Sequence, residues 1–379
     1  MRMGIPVNIP PIPKNAIAYV TQTIEKNWIS SLCLDESVNY IDKLEKGFSE
    51  FVGSKFGVTA TSGTAALDLA VAALSIGPGD EVIVPTFTMI ATAACVIRNG
   101  AQPVFVDSDP DTWCIDAKRI EAAITEKTKA IIPVHIYGYP ADMDTILRIA
   151  ERYNLLVIED AAEAIGTLYK GKMAGGIGHI GCFSFYANKT MTCGEGGMLV
   201  TNDSQIARRA AMLKDQAFGH PRFIHEEIGF NYRMSNLTAA YAFASFEEVN
   251  GYIQRKLDIA GLYHSLLSNV EGIVLPPSGD TNIKSTYWMY GILLNKAIFG
   301  RAKQEVRDLL QKEFKVDTRD FFFPMHRQPV MITKGFVDHG FSAPVADHLW
   351  ESGFYLPSGV TLSHQQIEFV CNALKSLKR

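Results

Sequence analysis

The sequence has no surplus of positive charge: 36 Lys and Arg stand against 40 Asp and Glu, a formal net charge of −4. That balance gives no support to generic binding of nucleic acid or anionic membranes. No run of about 18 apolar residues occurs, the length a helix needs to cross a bilayer. The opening stretch, Met1 to Asn15, is proline-rich and lacks the apolar centre of a signal peptide. Cysteine is scarce, and Cys33, Cys95, Cys114, Cys182, Cys193 and Cys371 follow neither disulfide-framework nor metal-site spacing. They read as reduced thiols, and a soluble, cytoplasmic protein is expected. The nine histidines also lack metal-ligand spacing. No metal is expected, and there is no internal repeat or low-complexity tract.

What is present is a long chain of ordinary globular composition: 379 residues, 47% hydrophobic and 20% charged. Such a length exceeds one compact core. The pattern divides it into a large unit over residues 1–240, with an N-terminal arm, and a linking helix with a smaller α/β unit over 241–379. Pro6, Pro10, Pro11 and Pro13 keep the arm extended. Helices follow at Asn15 to Lys26 and Asn39 to Val52. From residue 57 short β-rich runs alternate with helical stretches. Strands are expected at Gly57 to Ala60, Glu81 to Pro85, Gln102 to Val106, Ala130 to Val134, Leu155 to Glu159, Gly181 to Phe185 and Met198 to Thr201. Helices are expected between most of them, at Ala65 to Leu74, Met89 to Arg98 and Met143 to Arg152. Such alternation makes a mostly parallel sheet covered on both faces, and runs apolar throughout suit that burial. One helix is expected over 236–268, then strands near Gly272 to Leu275 and Thr286 to Leu294, and helices near Arg301 to Glu313 and Ser363 to Leu377.

Lys189 is the centre of the stretch Gly181 to Val200, between an apolar strand and a glycine turn (Gly194, Gly196, Gly197). A buried amine loses its proton more readily than in water and can bond an aldehyde, for which pyridoxal phosphate is the obvious candidate. Three other stretches sit where an open α/β sheet gathers its ligands, just past strand ends. Thr61-Ser62-Gly63-Thr64 opens a helix and can cradle a phosphate or simply cap it. Phe87 can lie against a planar ring or fill the core. Asp160 can pair with a protonated pyridine nitrogen or cap the next turn. Ser184 can add a hydroxyl to the phosphate. Arg319 and His326, late in the chain, are candidate substrate contacts or structural side chains.

Together these stretches resemble the fold-type I, pyridoxal-phosphate-dependent sugar nucleotide aminotransferases of the DegT type. The carriers are Ser62-Gly-Thr-Ala-Ala-Leu67, Gly79 to Thr88, Pro133 to Gly138, Glu159 to Gly166, Ser184-Phe-Tyr-Ala-Asn-Lys189, Gly194-Glu-Gly-Gly197 and Gly229 to Asn236. The resemblance implies a large domain with a seven-stranded sheet and a smaller C-terminal domain. It implies that Lys189 bonds the cofactor and Asp160 pairs with its ring nitrogen, that Ser62, Gly63, Thr64 and Ser184 hold the phosphate, that Phe87 stacks on the ring, and that Glu163 approaches the ring hydroxyl. Asn231 would complete the phosphate site from the other subunit of a homodimer, or of a tetramer built from dimers. Trp28 and Ser31, within Asn27-Trp-Ile-Ser-Ser31, would border the substrate. L-Glutamate is the implied donor and a 4-keto-6-deoxy sugar nucleotide the acceptor, with GDP favoured over UDP or dTDP. A dehydratase relative would carry histidine in place of Lys189, and a non-catalytic regulator would not need every cofactor position filled.

Overall fold

The computed structural model describes residues 4–379, so the first three residues of the expected arm fall outside the described residues. Nine strands make up the first two thirds: β1 (Phe56–Ala60), β2 (Glu81–Pro85), β3 (Gln102–Val106), β4 (Thr128–Ile131), β5 (Leu156–Asp160), β6 (Leu168–Tyr169), β7 (Lys172–Met173), β8 (Ile180–Ser184) and β9 (Gly197–Thr201). Seven of them form one sheet in the order β1-β9-β8-β5-β4-β2-β3. The pairings are parallel from β3 across to β8, and β9 runs antiparallel to both β8 and β1. Six strands therefore point one way, and their carboxyl ends share one edge.

Side chains alternate across a strand, and here both faces are apolar. Val82, Val84 and Ile158 join the core on one face, while Ile83, Ile131 and Val157 join the core on the other. This double burial made the strands legible as unbroken apolar runs. The expected strands fall where they were placed to within about a turn; β4 begins two residues before its expected start.

The helices that position the site follow β1 and β2. With α1 at Ala16–Glu25 and α2 at Tyr40–Val52, these are α3 (Gly63–Ala73) and α4 (Ile90–Arg98). Ser62 ends the extended chain at φ −163° and its Oγ accepts from Ala65 N at 3.1 Å, so α3 starts directly at the sheet edge.

The C-terminal part carries β10 (Ile273–Val274), β11 (Ile283–Lys284), β12 (Tyr290–Leu294), β13 (Arg319–Asp320) and β14 (Gly353–Leu356). Four of these form a small sheet, β10-β12-β14-β13, packed on helices Val249–Leu267, Lys303–Phe314 and His364–Ser376. Ile5 of the arm lies in the same core and pairs with Val316. β11 pairs instead with the β6-β7 hairpin, a three-stranded patch with no counterpart in the sequence reading.

The long helix expected over 236–268 is two helices, Asn236–Glu247 and Val249–Leu267, meeting at Glu248 (φ −101°, ψ 3°). Ala239, Ala240 and Ala242 pack with the first half of the chain, whereas Ile259, Tyr263 and Leu267 pack in the C-terminal core. The break lets one stretch serve two cores. No helix of the described residues is long and apolar enough to cross a membrane.

Candidate active site

The carboxyl edge of the large sheet opens onto a cavity of about 360 Å3. Ser62, Gly63, Thr64, Asp160, Glu163, Ser184 and Lys189, drawn from three separate stretches, all line it. Its floor is set by backbone approach. Gly197 pairs with both Ala60 and Ser184, and a Cβ there would sit 2.4 Å from the Ser62 carbonyl. A Cβ on Gly63 would meet the Ser184 Cβ at 2.7 Å. Two glycines thus bring the start of α3 against the end of β8. The first-turn N–H groups of Gly63 and Thr64 have no intrahelical acceptor, and with the Ser184 hydroxyl beside them they form an anion cradle at a positive helix end.

Asp160 ends β5 and is buried. Its Oδ2 accepts from Thr92 Oγ1 of α4 at 2.8 Å and its Oδ1 from Ala162 N at 3.2 Å. Burial raises its pKa despite those bonds and the smaller pull of Lys189 and His135. Glu163 is buried too. Its Oε2 accepts from Tyr137 N at 2.8 Å, presented by a residue in the left-handed region at φ 51°. Burial pushes it up to about 7, against Lys189 and the Tyr137 N–H.

Lys189 reaches into the space between these carboxylates. Its Nζ lies 3.9 Å from Glu163 Oε1 and 3.6 Å from the centroid of the Trp288 ring. Burial lowers its pKa, while Glu163 and Asp160 act to raise it. Trp288 is oriented by its Nε1, which donates to Asn188 O at 2.8 Å. Asn188 Oδ1 is buried in the same wall with no partner. Behind the site, Glu159 accepts from His135 Nε2 (2.9 Å) and from the N–H groups of Gly175, Ile177 and Gly178. His135 N in turn donates to Asp160 O at 3.1 Å, which pins the end of β5.

Several sequence candidates lie elsewhere. Phe87 is fully buried outside the cavity, against Tyr137, Phe321 and Phe322. Past Pro85 the chain bends through residues 86–88, so that Thr88 and Met89 line the cavity while Phe87 turns into the core. His326 is buried, its Nδ1 2.9 Å from Thr86 Oγ1 and its Nε2 3.4 Å from Asp347, and it does not line the cavity. It ties the end of β2 to the C-terminal part. Arg319 on β13 is exposed and 3.6 Å from Asp317. It lines a neighbouring cavity of about 260 Å3 that shares Tyr186, Asn188 and Tyr355 with the first. Trp28 and Ser31 do not line the Lys189 cavity of their own chain. The carbonyl of Trp28 accepts from Asn236 Nδ2 at 2.8 Å, beside helix Asn236–Glu247. Asn231 is exposed, its Oδ1 accepting from Arg233.

The sequence reading missed Thr92, Met89, Asn188, Trp288 and Tyr355. Thr92 had a signal: it lies four residues after Thr88, one helical turn, and their hydroxyls are 2.9 Å apart. Trp288 and Tyr355 come from the distant C-terminal part, with no local pattern to mark them.

A parallel α/β sheet with a buried lysine, a strand-end carboxylate and a helix-start anion cradle on one cavity defines the class of pyridoxal-phosphate enzymes. The chain belongs to the DegT/DnrJ/EryC1/StrS aminotransferase family, whose sequence profile matches residues 10–375. It is 41% identical to the GDP-perosamine synthase of Escherichia coli O157:H7 over 98% of this chain and 97% of that protein. It is 39% identical to the GDP-perosamine synthase of Caulobacter vibrioides, with the same coverages. Among solved structures, DesV of S. venezuelae, in complex with a ketimine intermediate, superposes with a TM-score of 0.88 at 30% identity, covering 98% of this chain and 99% of that one. The fold is that of a fold-type I aminotransferase. Pyridoxal 5′-phosphate is the cofactor.

The residues present fit that group. The cradle closes tightly because Gly63 and Gly197 carry no Cβ, which would collide with Ser184 or with the Ser62 main chain. The buried carboxyl of Asp160 faces the same space, and a cationic ring nitrogen there would offset the burial that disfavours its charge and hold it as the anion. The neighbouring lysine has its amine disposed toward the neutral, nucleophilic form.

Proposed function

We propose that this chain moves the amino group of L-glutamate to C4 of a GDP-linked 4-keto-6-deoxy sugar, so that GDP-perosamine is the product. The observation that carries the chemistry is the single cavity in which Lys189, Asp160 and the Ser62–Thr64 cradle meet. The acceptor rests on the 41% and 39% identity to GDP-perosamine synthases over nearly the whole chain.

In this reading pyridoxal phosphate, when bound, supplies an electron sink for the carbanion and carries the nitrogen between donor and acceptor. Ser62, Gly63, Thr64 and Ser184 hold the phosphate, the first three through a helix start and the last from β8. Asp160 keeps a proton on the ring nitrogen. Glu163 stands where it can accept from a ring hydroxyl. Lys189 would hold the resting cofactor covalently through its Nζ. Freed as an amine, its Nζ takes the proton from the donor's α carbon, and in the second half of the reaction delivers a proton to C4 of the sugar. Glutamate leaves as 2-oxoglutarate. The apolar walls supplied by Met89, Phe322 and Trp288 exclude water from the amine.

Each site is completed by a second copy of the chain. Asn231 lies close to Phe223, Ile224 and Ile228, whose side chains are 73%, 52% and 97% exposed. Trp28 and Ser31 lie among Ile29, Leu32 and Leu34, all exposed as well. Apolar patches of this kind mark interfaces, and they support a homodimer in which Asn231 of the partner subunit meets the phosphate. Trp28 and Ser31 would likewise border the substrate from across that interface, with Arg319 reaching it from the adjoining cavity.

The test is a panel of 4-keto-6-deoxy sugar nucleotides incubated with glutamate while 2-oxoglutarate is followed. The GDP sugar should react fastest. Preference for a UDP or dTDP sugar would move the acceptor without touching the cofactor site, whereas turnover by Lys189→Ala would sink the assignment of roles.

A further inference from the structure

A second lysine is buried more completely than the first and plays no part in the chemistry above. Lys256, on helix Val249–Leu267, is 2% exposed, and its Nζ donates to Trp288 O at 2.7 Å and to Ser358 O at 2.5 Å. Burial alone pushes its pKa down to about 7, with no carboxylate acting on it. Taking an ammonium out of water without an ion partner is costly, so the placement calls for a reason.

The reason lies in what Lys256 grips. Trp288 is the residue whose ring sits 3.6 Å from Lys189 Nζ. Its main chain is confined from two sides. Lys256 holds its carbonyl, and Gly138, in the left-handed region at φ 97°, comes so close that a Cβ there would lie 2.9 Å from Trp288 N. Its side chain is tied by Nε1 to Asn188 O. The other carbonyl that Lys256 holds belongs to Ser358, whose N–H donates to Val7 O at 3.0 Å. One amine thus fixes the indole to the linking helix and to the loop after β14.

We propose that Lys256 is a positioning residue that holds the Trp288 indole over Lys189 and thereby sets how readily that amine keeps its proton. The inference rests on reading Lys189 as the reactive amine. An indole face favours an ammonium. Losing it lowers the amine's pKa, which the two facing carboxylates, Glu163 and Asp160, otherwise raise. Glu195, Tyr186 and Tyr355 complete the titratable wall of the cavity.

The test measures the pH dependence of Lys189 acylation by acetic anhydride in the full chain freed of cofactor, so that the amine is unbonded, read by mass spectrometry of its peptide. Trp288→Leu should lower the apparent pKa by about half a unit or more. Lys256→Met should lower it in the same direction, Lys256→Arg by less, and neither should lower it further when Trp288→Leu is already present. Loss of the Lys256 charge acting through space gives the opposite sign, a rise that persists without Trp288, and that result would overturn the proposal. So would an unmoved pKa in any folded Lys256 variant. Should Lys256→Met fail to fold, Lys256→Arg with and without Trp288→Leu carries the same comparison. In the cofactor-loaded enzyme, Lys256→Arg should change kcat severalfold with KM for the sugar nucleotide within about threefold. Because acylation reads Lys189 without turnover, an inactive wild-type assay would count against the proposed function and leave this result standing.

Discussion

Lys256 is buried and Lys189 is nearly so, its side chain 11% exposed, and their surroundings differ in one respect. Lys256 has its donors committed to two main-chain carbonyls. Lys189 faces two carboxylates and an indole, with the nearest carboxylate oxygen 3.9 Å from its Nζ. Burial lowers the pKa of both. Depressed basicity alone therefore does not mark a reactive amine. What separates them is whether the nitrogen is free to leave its neighbours, and at position 256 it is not.

The largest effect that could break this contrast is Lys189→Ala. Transamination should fall by about 10³-fold or more, and borohydride treatment should leave no cofactor on the chain. Residual turnover near wild type would place the reactive amine elsewhere. Asp160→Asn should follow, lowering kcat by roughly 10²- to 10³-fold. It should also raise the melting temperature slightly, because a buried group that resists ionisation is replaced by a neutral one. A drop in stability with unchanged rate would make Asp160 a structural residue.

Stability against pH sharpens the comparison, because the two sites have opposite signs. Lys256 has a folded pKa below its unfolded value, so between about 7 and its ordinary range the unfolded chain binds more protons and stability rises with pH. Glu163 has a folded pKa raised to about 7, so between the ordinary carboxylate range and 7 the folded chain binds more protons and stability falls as pH rises. Denaturant midpoints should show the first slope flattened by Lys256→Met and the second by Glu163→Gln. Over its window the change is at most about 5 kcal/mol for Lys256 and about 3 kcal/mol for Glu163. The smallest effect separates wall from core. Phe87→Leu should cost about 1 kcal/mol of stability and leave cofactor affinity within about twofold, while Met89→Ala should weaken the cofactor with little change in stability.

Much of this was legible in the sequence because the large sheet is buried on both faces. Strands such as Glu81–Pro85 stand out by the apolar run Val82–Pro85, and the polar residues singled out just past strand ends fall on one edge. Hence Ser62, Asp160, Ser184 and Lys189 line one cavity although they come from three separated stretches. Of the two readings open for Phe87, the structure places its side chain in the core, because the bend after Pro85 brings Thr88 and Met89 to the cavity instead. Of the two readings open for His326, the structure shows a histidine that ties the chain after β2 to a distant loop, which in sequence looks the same as one that meets a ligand. The two-residue strands β6, β7 and β11 are too short to carry a period, and the break at Glu248 reflects two cores competing for one helical stretch. Lys256 and Trp288 gave no signal, since their meaning arises only when the C-terminal part folds back.

Gly197 contributes no side-chain atom to the cavity, yet the Ser62 carbonyl lies where its first carbon would go. Substitution of this residue by even alanine should force β9 and the start of α3 apart and release the anion before any catalytic group is altered. Variation in this chain is therefore constrained at a position whose importance a survey of functional groups would overlook, and a screen for loss of phosphate retention should recover position 197 as readily as the lysine.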